Sequence, residues 1–257
     1  MREIDRDKDT ATRTTVLSYG PMRSGKTRWA ATWPRPLFLS DNTESGWTTI
    51  KNMPDELFFE PGRRPKVWAI EQAVDMMAAI SKIDPLIRRG EVQTVVVDSL
   101  TFYAQLYLSF LEATTSRGSK QADGRQIYGN LQTHLRALRV QMHALPVNVV
   151  WICLDVPPGE DDPMGRPDLT GSKNPRQFAA GCDYILYHRP MVDPKTNLHT
   201  WEMRTRRYLQ FVAGGRDEGR LPDPLGYWAD PQLSDGNYTF YPDCAYNTFA
   251  QVLGLLK

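Results

Sequence analysis

The chain of 257 residues is 41% hydrophobic and 24% charged, which suits one large α/β domain, or two small ones, with a buried core. Its formal net charge of +1 excludes a global basic field that would draw the whole chain onto nucleic acid. The three cysteines, Cys153, Cys182 and Cys244, are odd in number and far apart, which excludes a disulfide framework or a zinc-type spacing and fits a reducing cytosol.

The N-terminal residues 1–13, MREIDRDKDTATR, are charged rather than apolar and read as a disordered tail, not a secretory leader. No apolar run approaches the roughly 18 residues of a membrane helix, so no membrane partner and a cytoplasmic location are expected. TTVLSYG (14–20) is β-rich and runs into a glycine motif. SGKTRWAATW then reads as a helix ending before Pro34, and PLFLSD (36–41) as a second strand. Residues 54–67, rich in Pro, Arg and Gly, read as a loop. Apolar residues at 70, 74, 77, 80 and 83 keep helical spacing.

EVQTVVVDSL (91–100) has an unbroken apolar centre, as expected of a strand buried on both faces of a parallel sheet. A helix over 101–114 and a polar loop over 115–125 follow. Ile127, Leu131, Leu135, Leu138, Met142 and Leu145 mark a long amphipathic helix closed by Pro146. VNVVWICLD (147–155) is another buried strand, and 156–175 a long loop of the kind that is functional or disordered. DYILYHRPMV and HTWEMRTRRYLQFV read as strands of a meander, 214–245 as turns, and YNTFAQVLGLL as a closing helix. The expectation is a single α/β domain over 14–257, with a mainly parallel central sheet (core 14–190) and a β-rich C-terminal part (191–257).

YGPMRSGKTR (19–28) holds the pattern G-x-x-x-x-G-K-[ST] between a predicted strand and a predicted helix, where a phosphate cradle needs it. Gly20, Pro21, Met22, Arg23, Ser24, Gly25, Lys26, Thr27 and Arg28 are the expected nucleotide-binding residues. Backbone N–H groups would close around the β-phosphate, Lys26 would reach the β- and γ-phosphates, and Thr27 would ligate Mg²⁺. A second carboxylate is expected at the end of a neighbouring buried strand, and TVVVDS supplies Asp98. FLSDNTESGW offers Asp41 and Glu44 to orient or deprotonate the attacking water, with Glu44 as the candidate base.

Taken together, YGPMRSGKT, FLSDNTESG and TVVVDSLT resemble the RecA-like P-loop ATPases, most closely the short core-only phage versions, AAA-type nucleotide-binding proteins classed with single-strand annealing and recombination proteins. Weaker likeness runs through 128–155, 167–187 and 213–225. The resemblance implies a RecA-like P-loop NTPase fold, hydrolysis of ATP with Mg²⁺, and Glu44 as the water-activating residue, with Asp41 second. The match has one extra residue in DNTESG. The fourth core strand ends WICLD, so Asp155 stands where relatives carry a neutral γ-phosphate sensor.

By the same resemblance, the loops after the third and fourth core strands hold single-stranded DNA. The corresponding cations are Arg117, Lys120 and Arg125, then Arg166, Lys173 and Arg176. Neither loop has an aromatic residue for base stacking, so contacts would be electrostatic and salt-sensitive. GGRDEGRLPDP offers Arg216 and Arg220 as a basic finger acting in the next subunit's ATP site, which requires a homo-oligomeric ring or filament. The implied function is a DNA-stimulated ATP hydrolase assisting phage recombination, annealing or replication in the host cytoplasm, with a single-strand-binding protein as a further candidate partner. Two alternatives stay open: a small-molecule P-loop kinase with 156–176 as its lid, and a non-catalytic module whose assembly state nucleotide sets. The aromatic residues mostly fall in apolar elements and read as core. The four His have no ligand spacing and read as structural or surface.

Overall fold

The computed structural model describes residues 13–41, 46–115, 124–160, 164–171, 173–192, 199–216 and 221–229. Most of the expected N-terminal tail and the whole closing helix fall outside these residues. The chain begins β1 (Thr15–Tyr19), α1 (Lys26–Ala31), β2 (Pro36–Asp41), α2 (Gly46–Lys51), β3 (Lys66–Ile70), α3 (Asp75–Arg88) and β4 (Thr94–Asp98). It continues through α4 (Leu100–Thr115), α5 (Gly124–Ala144), β5 (Asn148–Cys153), β6 (Asp155–Val156), β7 (Arg166–Pro167) and α6 (Asn174–Ala179). The last described elements are β8 (Tyr184–Val192), β9 (His199–Arg204), β10 (Gly214–Gly215) and β11 (Gly226–Ala229).

The main sheet has the order β11-β9-β8-β1-β5-β4-β2-β3, with β10 also on β8. Every pairing from β8 through β1 to β3 is parallel. The pairings of β8 with β9 and β10, and of β9 with β11, are antiparallel. The mixed α/β fold with a mainly parallel sheet and a C-terminal meander is therefore present.

Period-two alternation sorts the strand residues onto two cores. Leu17, Tyr19, Val95, Val97, Val149 and Trp151 face α3, α4 and α5. Val16, Val96, Val150 and Ile152 face Trp29 and Trp33 of the α1 segment, whose rings meet edge-on at 5.3 Å. Helices cover both faces, which is why β4 and β5 are apolar without a break. Helix α5 buries Ile127, Leu131, Leu135, Leu138 and Met142, one stripe at three- and four-residue spacing. Each such side chain contributes about 1.5–3 kcal/mol on burial.

Three expectations are corrected. The loop read over 54–67 contains the start of β3, an edge strand whose exposed residues hide the strand pattern. Ile70 ends that strand and does not open a helix, and Val74, just before α3, is 55% exposed. The segment 156–175 is not one loop, since β6 and β7 form a small antiparallel ladder and α6 begins at Asn174.

Candidate functional site

Strand β1 delivers the chain into the glycine motif at the C-terminal end of the parallel strands. Gly20 has φ +152° and lies so close to β8 that a Cβ would stand 2.4 Å from the His188 carbonyl oxygen. Only glycine fits that approach. Gly25, at φ 81°, is the left-handed residue from which α1 starts. Arg23 also has positive φ, at 60°, and Met22 at the loop tip is 64% exposed. Lys26 is buried, and its Nζ donates to the carbonyls of Gly20 (2.8 Å) and Pro21 (2.6 Å) and to Ser24 Oγ (3.1 Å). The ammonium group is thus held inside the turn of the loop. Arg28 is buried as well.

Thr27 Oγ1 donates to Asp98 Oδ2 at 2.8 Å. Thr27 lies on α1, reached from β1 through the loop, and Asp98 ends β4, which is not hydrogen-bonded to β1 because β5 lies between them. The expectation of a neighbouring strand is corrected to the next but one. Parallel register brings the strand ends level: Tyr19 pairs with Cys153, and Asp98 with Ile152. Burial raises the affinity of Asp98 for a proton, and the Thr27 bond and the Lys26 charge offset this in part. A hydroxyl and a carboxylate in contact fit Mg²⁺, which takes one or two protein oxygens, keeps waters and shares phosphate oxygens. Among the described residues no cluster of three or more His, Cys, Asp or Glu could hold a metal by itself.

Ser40 of β2 pairs with Asp98 of β4, and Asp41, the last residue of β2, pairs with Ile70 of β3, one position beyond the Ser40–Asp98 pair. Glu44, three residues on, lies outside the described residues, as do Arg117, Lys120 and Arg220. Asp155 follows β5, half-buried, and burial raises its proton affinity while the Lys26 charge lowers it. An acid within electrostatic range of the motif lysine occupies the strand end where the resemblance implied a neutral sensor.

His188 is a site residue that sequence reasoning missed. It is fully buried, and its ring joins the sheet to the loop: Nε2 meets Ser18 Oγ at 2.7 Å, and Nδ1 meets the Ser24 carbonyl at 3.2 Å. A carbonyl only accepts, so Nδ1 carries the proton and Nε2 accepts from Ser18. Burial and the Lys26 charge hold His188 down to about 3, so it stays neutral. Nothing around YHRP in the sequence marks this role, because its partners lie 164 and 170 residues away.

The remaining predicted residues are spread over several elements. Arg125 opens α5, exposed, while Lys173 and Arg176, also exposed, sit at the start of α6 and on it. Arg166 lies in β7, half-buried. Arg216 sits at the opposite end of the sheet from the glycine motif. It is 69% exposed and pairs with Asp183 at 3.4 Å. Asp183 in turn accepts from the Thr15 N–H at 2.9 Å, at the start of β1.

Among the described residues no helix is long and apolar enough to cross a membrane. A family model described as an AAA domain matches residues 12–216. No curated protein matches the chain.

Proposed function

The chain belongs to the AAA domain family, a P-loop nucleotide-binding family, and from that premise we propose that it hydrolyses ATP with Mg²⁺ and is stimulated by single-stranded DNA. The observation that carries the hydrolytic reading is the 2.8 Å contact between Thr27 and Asp98 beside the Lys26-bearing loop. Loop N–H groups and Lys26 hold the β- and γ-phosphates and neutralise charge that develops there during transfer to water. Thr27 and Asp98 hold the cation. Magnesium, when bound, supplies further charge neutralisation on the phosphate oxygens. Glu44, with Asp41 second, orients the attacking water and takes its proton. The end of β2 at Asp41, one residue past the Ser40–Asp98 pair, supports this assignment.

The DNA part of the proposal assigns phosphate contacts to Arg117, Lys120, Arg125, Arg166, Lys173 and Arg176. It gives Arg216 and Arg220 a role in the ATP site of an adjacent subunit of a homo-oligomer. The distance of Arg216 from its own motif, at the far end of β1, supports action in trans over action in cis. The biological role proposed is phage recombination, annealing or replication.

The experiment is ATP hydrolysis by the purified protein with Mg²⁺ at low salt, with and without single-stranded DNA, using Lys26→Ala as the blank. Hydrolysis above the blank that rises with DNA is expected. Activity equal to the blank overturns the hydrolase. Activity above the blank but indifferent to DNA overturns the DNA part alone and favours a small-molecule kinase.

A further inference from the structure

At the end of the sheet opposite the glycine motif lies a cavity of about 290 Å³, a size at the small end of ligand cavities. The last turn of α5, the starts of β1 and β5 and the turn before β8 enclose it. Its charged and titratable lining is Arg13, His143, Asp183 and Arg216.

The one acid in that lining is engaged. Asp183 Oδ2 accepts from the Thr15 N–H at 2.9 Å, and Oδ1 faces Arg216 Nη1 at 3.4 Å. Its backbone is held as well. Its N–H donates to the Thr15 carbonyl at 2.8 Å, and its carbonyl accepts from the Arg216 N–H at 3.1 Å.

The cations outnumber it. Arg13 Nη1 donates to the Leu145 carbonyl, which carries no net charge. Arg139, one turn before His143 on α5, donates to the Gln177 and Phe178 carbonyls at 2.6 and 3.0 Å. Its guanidinium packs on Gly181, another lining residue, where a Cβ would stand 2.1 Å from Nη1. A third positive charge therefore backs the cavity wall.

His143 is the unmatched member. Its Nε2 is buried without a hydrogen-bond partner, and buried polar atoms are almost always bonded to something. Burial lowers the proton affinity of the ring. Asp183 opposes this, and Arg139, Arg13 and Arg216 reinforce it, so the imidazole is neutral. A neutral imidazole has one N–H and one bare nitrogen.

We propose that this cavity binds a phosphate group, with Arg13 and Arg216 on its oxygens and His143 Nε2 on a further one. Guanidinium forks match phosphate oxygens. An anion taken out of water needs matching charge, and the excess of guanidinium over carboxylate supplies it. Hydrogen phosphate carries both an O–H and bare oxygens, so it satisfies Nε2 in either tautomer. Sulfate or a carboxylate only accepts, and satisfies Nε2 only when that nitrogen bears the proton. The site lies at the other end of β1 from the glycine motif, and the inference holds whether or not the chain hydrolyses ATP.

The test is isothermal titration calorimetry of inorganic phosphate into the full chain at constant chloride. Lys26→Ala separates this site from the glycine motif, and binding that survives it is expected. In that background Arg13→Gln and His143→Leu should each weaken binding by about tenfold or more. Arg88→Ala, on exposed α3, should leave it unchanged. The Arg13 side chain is exposed, so its variant tests the site even where His143→Leu fails to fold. Glycerol phosphate binding more tightly than phosphate assigns the group to a phosphorylated metabolite, and equal or weaker binding assigns it to free phosphate. Binding that Lys26→Ala abolishes belongs to the glycine motif and overturns the cavity site. Binding indifferent to both Arg13→Gln and His143→Leu, or no binding at all, overturns it too. Sulfate or succinate binding as tightly as phosphate overturns the choice of phosphate.

Discussion

In the parallel half of the sheet, β1, β4 and β5 are buried along their whole length. The polar groups at their C-terminal ends answer one another: Thr27 bonds Asp98, and Lys26 fills the carbonyls of its own loop. In the antiparallel edge, β8 is buried from Leu186 to His188 and then emerges; Arg189 of β8 and Arg204 of β9 lie over Tyr208 and pair with Glu202, and Arg204 also with Asp223. Charge placed in the first region must be matched within one or two bonds, because burial makes an unmatched ion costly. Charge in the second is paired as well, but water reaches the Arg189 guanidinium and screens it. His188 stands at the border, a β8 residue whose ring supports the loop of the parallel half.

The sharpest way to break this contrast is Lys26→Ala. It should lower ATP turnover by about 100-fold or more while leaving the melting temperature near wild type, as read by steady-state hydrolysis and calorimetry. Asp98→Asn comes next. It keeps an oxygen for Thr27 but removes the charge, so the Mg²⁺ concentration for half-maximal activity should rise by about tenfold or more, and a magnesium titration checks this.

His188→Leu removes both ring nitrogens and leaves the Ser18 hydroxyl and the Ser24 carbonyl without them. It should cost about 1–3 kcal/mol and raise the KM for ATP, because the loop loses its brace. His188→Asn should recover part of both. The pH dependence has a definite sign. His188 is held down to about 3, so below the ordinary value near 6.5 the unfolded chain binds a proton that the folded chain refuses. This stability is complete above pH 6.5 and is lost as pH falls toward 3. Thermal melts of His188→Asn should slope less over that window. The slope should not vanish, since burial holds His134 down to about 4 in the same direction.

The smallest effect belongs to the antiparallel edge. Glu202→Gln removes one charge between Arg189 and Arg204, which are 32% and 17% exposed. Glu202 itself is buried, at 7% exposure, while water reaches the Arg189 side chain, so the loss should be about 1–2 kcal/mol, and denaturation in high salt should narrow the difference. A loss several times larger would mean that the edge is as intolerant of unmatched charge as the parallel half.

The amino-acid sequence determined the features whose cause is local. The G-x-x-x-x-G-K-T motif, the apolar runs of β4 and β5 and the α5 stripe each lie within one stretch of chain. A phosphate-binding turn, a doubly buried strand and an amphipathic helix each impose their own spacing. Asp98 was legible for the same reason, as an acid ending an apolar strand. The tertiary structure alone decided the rest. It put β5 between β1, which leads into the loop before Thr27, and β4, which ends in Asp98, and drew Lys66–Ile70 onto the sheet edge. It brought His188 under Ser24 and stacked Phe211 on Tyr187 above the loop. These contacts follow from which strands lie side by side, and strand order is set by packing the two cores together. No short-range pattern records a contact between residues 164 or 170 positions apart.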